Sequence, residues 1–514
     1  MKHTKKLSAI ILSAVMLTTA CSGSTSPDSS TQIKDSDPAA SENAGTDDSA
    51  DSTDSSNDTV SASKSVKDVI GDIKVDTKVK ILSWYDLNDT GVAKTYKELF
   101  GVPEKTPTGY EESNLKKNNS EVSVTEKSFA NIPVTAYISR YTDLAKLIQS
   151  DNSPDAMPAE LFGMMYHNAN RNSEKFFESV DDVIDFGLSE LIPYSKIQND
   201  IRMFDKNYCP IYNVSPESVL WYRSSVIKDA GLEDPWELYE KDEWTWSKFL
   251  EICEKFSDRE NGKYGIDGYC VTSNLLATTG IHIIGNDNGM YVNNVSSDKV
   301  IAAMDFLRQF DTTQKSLRYP KEVENNWSPS YYEWASGNTL FFEDGFWRYD
   351  EVWARYKKKE KWNDDEINFV PFPRFDNEQI YSQNMRTSSY LLPKGSKNKE
   401  GYKSLVYAEI YARNDAEILA AAKQFDKTEY EWNDKLLDRK DKISSFDTFN
   451  WVYDYSQFYN FSIESVGCGD NPIKMLLQNS YMSGVDYRKV IEQYGSSVEA
   501  CINELNTPYV DNAD

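Results

Sequence analysis

The stretch from residue 22 to 63 sets the first limit on what this chain can fold into. It holds 13 Ser and 9 Asp or Glu against a single Lys, no aromatic residue, and only Ile33 and Val60 as large aliphatics. A segment so poor in apolar side chains cannot bury enough surface to offset the entropy of ordering it, so it takes no part in a core. As a flexible tether it spans about 36 Å root-mean-square. The folded body therefore starts near residue 65 of 514. What remains is longer than a single core usually supports, which predicts two lobes.

Ahead of the tether, Lys2, Lys5 and Lys6 precede an apolar run over residues 7–17. The run is too short to cross a bilayer as a stable helix, and with the small residues after it residues 1–20 read as a secretory signal. Leu17, Thr18, Thr19, Ala20 and Cys21 resemble a bacterial lipobox, although Thr18 stands three places before the Cys where Leu is usual. That resemblance implies a lipid on Cys21, residues 21–64 as lipidated Cys and tether, and a body held on the extracytoplasmic face of the cell membrane.

Charge narrows the partners. Against 56 Lys and Arg stand 82 Asp and Glu, for a net −26; with the three signal lysines and the tether's −8 set aside, the body still carries −21. Nucleic acids and anionic membrane surfaces reward clustered cations. The nearest thing to a cluster, residues 357–361, contains Glu360 and is followed by Asp364, Asp365 and Glu366, so it reads as a solvated helix face. Only His3, His167 and His282 are present, and the six cysteines show no C-x-x-C spacing, so neither a metal site nor a cofactor is expected, with an all-oxygen Ca²⁺ site among the many carboxylates the one alternative left open. Cys253 shares one helical face with Phe249, Ile252 and Phe256, which predicts a buried small hydrophobe.

The body alternates α and β patterns. Residues 79–84 read as a strand, 90–100 as a helix closed by Gly101 and Pro103, and Thr142 as the cap of a helix carrying Leu144, Leu147 and Ile148 before an extended 155–159. Further on come a helix from Ser297, strands at 339–342 and 367–370, and a terminal helix with Val498, Cys501, Ile502 and Leu505. No internal repeat is evident. Strand, helix, strand is the grammar of an α/β sheet.

Several segments, in order, resemble the extracellular solute-binding proteins of carbohydrate ABC transporters, the family that includes maltose-binding protein. Ser153-Pro154-Asp155-Ala156-Met157 is similar to the family's "PD" strand; Val219 to Tyr222, then Ile227 to Leu232, then Trp244, Trp246 and Phe249 follow its strand, Gly-stopped helix and helix start. Gly345-Phe346-Trp347 resembles its G-x-W segment, and Pro371-Phe372-Pro373 and Leu392 to Asn398 its return crossing. Arg223 stands where the family usually has Asn, and residues 102–129 have no counterpart. The resemblance implies an α/β, periplasmic-binding-protein-like (type II) fold of two lobes with crossover hinge segments. Lobe 1 would take residues 65–215 and 386–430, and lobe 2 residues 216–385 and 431–514. It further implies a sugar or oligosaccharide clamped between the lobes and handed to ABC permease subunits in the membrane, with the protein acting as a monomer and not as an enzyme.

Candidate ligand-binding residues follow by position. Trp347 follows the Gly of the family's sugar-stacking turn, and Trp84 ends the first strand, where core packing would serve it equally. Asn88 sits just past that strand; Glu160 and Phe162 follow the 155–159 strand at the family's pocket wall. Tyr212 and Asn213 approach the first crossover, and Asn286 and Asp287 occupy a turn near the cleft that turn formation alone would explain. Trp244 and Trp246 are assigned to packing. A pyranose offers apolar C–H faces and a hydroxyl rim, so rings together with carboxylates and amides suit it, and 13% aromatic residues permit that reading. Two other readings stay open: a binder of peptide or another non-sugar solute on the same fold, and a secreted glycoside hydrolase, which needs two carboxylates roughly 5 to 9.5 Å apart.

Overall fold

The computed structural model describes residues 63–74, 78–82, 91–101, 104–105, 144–159, 176–202, 205–268, 270–287, 290–311, 330–453 and 485–510. Residues 1–62, which hold the expected signal, Cys21 and nearly all of the expected tether, lie outside the described residues, as do nearly all of 102–129 and the side chain of Cys501.

One lobe is organised on a four-stranded sheet in the order Ile367–Val370, Val219–Arg223, Thr339–Asp344, Tyr264–Gly268. Thr339–Asp344 runs parallel to Tyr264–Gly268 and antiparallel to Val219–Arg223. Every residue of Thr339–Asp344 and of Ile367–Val370 is buried, which is why the apolar residues of these strands, Leu340 to Phe342 and Ile367, Phe369 and Val370, show no strict alternation with exposed polar ones. The helix Trp246–Phe256 covers the sheet with Trp246, Phe249, Ile252, Cys253 and Phe256, and starts where the Thr245 hydroxyl accepts from the Lys248 amide. It lies so close that a Cβ on Gly265 would come 2.7 Å from Cβ of Cys253, so only glycine fits beneath it. The helix Ser224–Asp229 ends at Gly231, whose φ of +64° is left-handed. Where the family has Asn, Arg223 precedes this helix, pairs with Glu366 at 2.6 Å and lies 4.3 Å from the Trp362 ring centroid.

The other lobe has a small sheet whose middle strand arrives late: Tyr390–Pro393 lies between Met157–Pro158 and Phe177–Glu178, antiparallel to both. Lys80–Ile81 pairs in parallel with Glu104–Lys105 across the helix Gly91–Phe100, which places a strand in the 102–129 segment where none was expected. That helix meets Lys399–Asn414 through Tyr96 and Ser404, whose hydroxyls are 3.1 Å apart. Apolar packing follows this division. One large cluster joins Val219, Phe249, Phe341 and Trp432, and two smaller ones gather Val79, Tyr96 and Leu405, and Leu82, Met157 and Leu391.

Between the lobes lies a three-stranded sheet of crossings, Asn450–Val452, Ser382–Ser388 and Asn213–Pro216. Ser382–Ser388 is antiparallel to the first crossing, pairing Arg386 with Ser215, and parallel to the last. Trp451 and Tyr453 pack against apolar clusters of both lobes. The last crossing follows two helices that the sequence reading passed over, Ala416–Glu429, which has no fully buried residue, and Asp434–Ser444.

The 357–361 run departs from the expected solvated face. Lys357 is buried, with its ammonium 2.7 Å from Asp364 and 3.4 Å from the Glu431 carbonyl, while Lys358 and Lys359 remain exposed. A lysine stem packs as hydrocarbon when its tip finds acceptors.

Candidate functional site

In an open α/β sheet, ligands meet the carboxyl ends of the strands. The parallel pair Tyr264–Gly268 and Thr339–Asp344 ends in three buried carboxylates, Asp267, Glu343 and Asp344. Each has backbone or side-chain donors. Glu343 accepts from the Cys270 amide at 2.6 Å and from Asn274 Nδ2 at 3.2 Å, capping the helix Val271–Ala277. Asp267 accepts from the amides of Gly268 and Ser330 at 2.8 and 2.7 Å. Asp344 accepts from the Gly345 amide at 2.8 Å and from Arg348 Nε at 2.6 Å. Burial pushes its carboxyl above the ordinary value, with Arg348 and Arg386 pulling the other way. Arg348 in turn reaches Glu351 at 3.0 Å and lies 4.7 Å from the Tyr331 ring centroid.

Immediately past this strand the chain turns at Gly345 and presents Trp347, half-buried. A Cβ on Gly345 would lie 2.0, 2.1 and 2.4 Å from three atoms of the Trp347 benzo ring. Those three distances cannot be met in the ring plane, so the ring lies face-down on the glycine, and no larger residue fits there. The Arg386 guanidinium sits over the ring, 4.6 Å from its centroid, and Trp347 Nε1 is buried without a hydrogen-bond partner. Arg386 Nη1 is 3.9 Å from the Glu217 carboxylate, and the Glu217 amide donates to the Asn384 carbonyl, fastening the first crossing to the second. A ring, a guanidinium and two carboxylates thus converge where the second lobe meets the hinge.

Asn213 belongs to the same hinge sheet, half-buried, with Nδ2 donating to Ser388 Oγ at 3.3 Å. Its neighbour Tyr212 is in the core of the first lobe at 3% exposure, with the Arg413 guanidinium 5.9 Å from its ring, so in this conformation the ring is not offered to a ligand. Asn286 and Asp287 lie elsewhere, on the hairpin Ile284–Asp287 and Met290–Asn293. Asn286 Nδ2 donates across to the Asp200 carbonyl of the first lobe at 2.5 Å, while Asp287 is exposed. Trp84, Asn88, Glu160 and Phe162 lie outside the described residues. Trp244 and Trp246 pack in the core, their indole N–H groups donating to the Pro371 carbonyl and to Thr278 Oγ1, both at 2.8 Å.

Sequence reasoning missed Arg386 and Glu217. Arg386 is the one charged residue in Ser382–Ser388, and a lone arginine within a crossing strand is the signal that marks it. Among the described residues no group of three or more His, Cys, Asp or Glu could hold a metal ion, and no helix is long and apolar enough to cross a membrane.

The two lobes and the crossing strands between them are the fold of solute-binding proteins, and the chain belongs to the bacterial extracellular solute-binding protein family, whose model matches residues 125–430. Solved structures share the fold at low identity. A sugar transporter protein of Rhizobium etli in an open conformation is 12% identical with a TM-score of 0.54, over 82% of this chain and 99% of that one. The cyclic α-maltosyl-1,6-maltose binding protein of Arthrobacter globiformis is 11% identical with a TM-score of 0.53, over 83% and 99%. An ABC substrate-binding protein of Listeria monocytogenes in complex with cycloalternan is 12% identical with a TM-score of 0.50, over 84% and 98%. No curated protein matches the chain in sequence.

Proposed function

We propose that this chain is the lipid-anchored receptor of an ABC importer, which captures a sugar or oligosaccharide between its lobes and delivers it to a membrane permease without cleaving it. The observation that carries this reading is Trp347, a half-buried ring at the carboxyl end of a parallel strand and beside the hinge sheet. A pyranose face needs such a ring, and hydroxyls need polar groups such as the Asp344 and Glu217 carboxylates, both of which interact with the Arg386 over the ring. The sugar ligands named for the Arthrobacter and Listeria proteins agree with that chemistry. Cys21 would hold the lipid and residues 22–63 the body clear of the envelope, and the lobes would divide near residues 215, 385 and 430 with the protein a monomer.

The test is a thermal-shift panel of glycans and peptides, followed by small-angle scattering and product analysis with whichever ligand raises the melting temperature. A bound state adds RT ln(1 + [L]/Kd), about 2.7 kcal/mol at a hundredfold excess over Kd. A glycan hit that shrinks the radius of gyration and is recovered intact supports the reading. Hits confined to peptides would overturn the sugar assignment, and cleaved glycan would overturn the receptor assignment.

A further inference from the structure

Resting on Trp347 as the sugar platform, we propose that Arg386 is the resident occupant of its ring and that a neutral pyranose binds by displacing this guanidinium toward Glu217. The ring has one face laid on Gly345. Arg386 sits over it at 4.6 Å, well inside the distance at which a guanidinium is held by an indole. A pyranose stacks through its weakly positive C–H face, so it competes with the guanidinium for the same electron-rich surface.

The displaced group has somewhere to go. Its contact with Glu217 is 3.9 Å, longer than the 2.7–2.9 Å of a charge-assisted hydrogen bond, so the pair can still tighten when the ring is given up. Both partners belong to the hinge: Arg386 is paired with Ser215 in the sheet, and Glu217 follows Pro216 at the end of the first crossing. Sugar arrival at the ring is thereby converted into a tighter ion pair between two crossing strands. Arg386 is a positioning residue that sets affinity and links ring occupancy to the hinge.

The experiment uses the full chain labelled with 5-fluorotryptophan, with the Trp347 fluorine resonance assigned through Trp347→Phe, and compares wild type with Arg386→Ala and Arg386→Lys. Without ligand, Arg386→Ala should move the Trp347 resonance and increase its solvent isotope shift, with Arg386→Lys intermediate, while the other tryptophans stay in place and report an intact fold. An unmoved Trp347 resonance overturns the ring contact. With maltotetraose as probe, Arg386→Ala should bind roughly two- to fivefold tighter, which corresponds to losing a competing contact worth about 0.5–1 kcal/mol. Weaker binding by Arg386→Ala would overturn displacement, since it makes the guanidinium a ligand contact. Maltotetraose that binds tightly but leaves the wild-type Trp347 resonance unmoved overturns displacement and the platform together. Maltotetraose that binds neither protein overturns displacement for α-glucans, and the ligand-free resonance still decides the Arg386 contact.

Discussion

Replacing Asp350 with Asn should stabilise this protein at neutral pH. Asp350 lies in the wide turn Tyr349–Trp353 and accepts a hydrogen bond from Trp432 Nε1 at 2.6 Å. Burial drives its carboxyl up from 3.8 to about 6; Trp432 and Lys440 oppose the rise and Asp426 adds to it. A folded-state value above the unfolded one means the fold favours the protonated acid. The cost of the ionised form is fully present above pH 6 and is relieved as the pH falls toward 4. A shift of roughly two units at 1.36 kcal/mol per unit makes that cost about 3 kcal/mol, an upper value because the side chain is half-buried rather than sealed. Asn keeps an oxygen for Trp432 and carries no charge. Asp350→Asn should therefore exceed wild type by up to about 3 kcal/mol at pH 7.5 and by only about 1 kcal/mol at pH 4.5, where the wild-type acid is itself protonated when folded. Urea unfolding at both pH values, followed by tryptophan fluorescence, reads the difference. A variant less stable than wild type at pH 7.5, or a difference independent of pH, would refute burial as the cause.

Three further outcomes are expected. Trp347→Ala should weaken binding of the identified sugar by roughly thirtyfold, about 2 kcal/mol, and lower ligand-free stability by less than about 2 kcal/mol because the ring is only half-buried; calorimetry and urea unfolding of one variant separate the two. Arg348→Met strips the buried Asp344 of its partner and should cost about 3–5 kcal/mol, with Asp344→Asn in the same chain restoring part of it; a loss under about 1 kcal/mol in urea unfolding would show the pair to be dispensable. Cys21→Ala should move the protein from the membrane fraction to the medium, and continued membrane retention of a processed Ala variant would count against the lipid anchor.

Local pattern made part of this fold legible. The helix Trp246–Phe256 could be read because its buried face recurs within eleven residues, and Ile367–Val370 because a short, mostly apolar run ends at Pro371. The hinge could not be read in full: Asn450–Val452 is three residues with no alternation, and what makes it a crossing is its parallel register with Ser382, Gln383 and Asn384, far away in sequence. Arg386 escaped for the same reason, since its importance comes from Trp347, which reaches it only through the turn at Gly345. Tyr212 is buried in the core, and a ring at the start of a crossing looks alike in sequence whether it faces core or cleft. The neighbour that settles it, Arg413, lies about two hundred residues on.

The late arrival of Tyr390–Pro393 has a consequence for how the chain is made. A nascent chain that ends before residue 390 holds Met157–Pro158 and Phe177–Glu178 as two strands with no strand between them, and Gly91–Phe100 without the Lys399–Asn414 helix it packs on. Closing a loop of that length costs on the order of 5 kcal/mol in chain entropy before any pairing repays it. The other lobe waits too, for Trp432, Leu436 and the helix Tyr487–Val510. Neither half can finish while the ribosome is still in the middle of the message. For most of its synthesis the polypeptide thus lacks the segments that complete both of its cores.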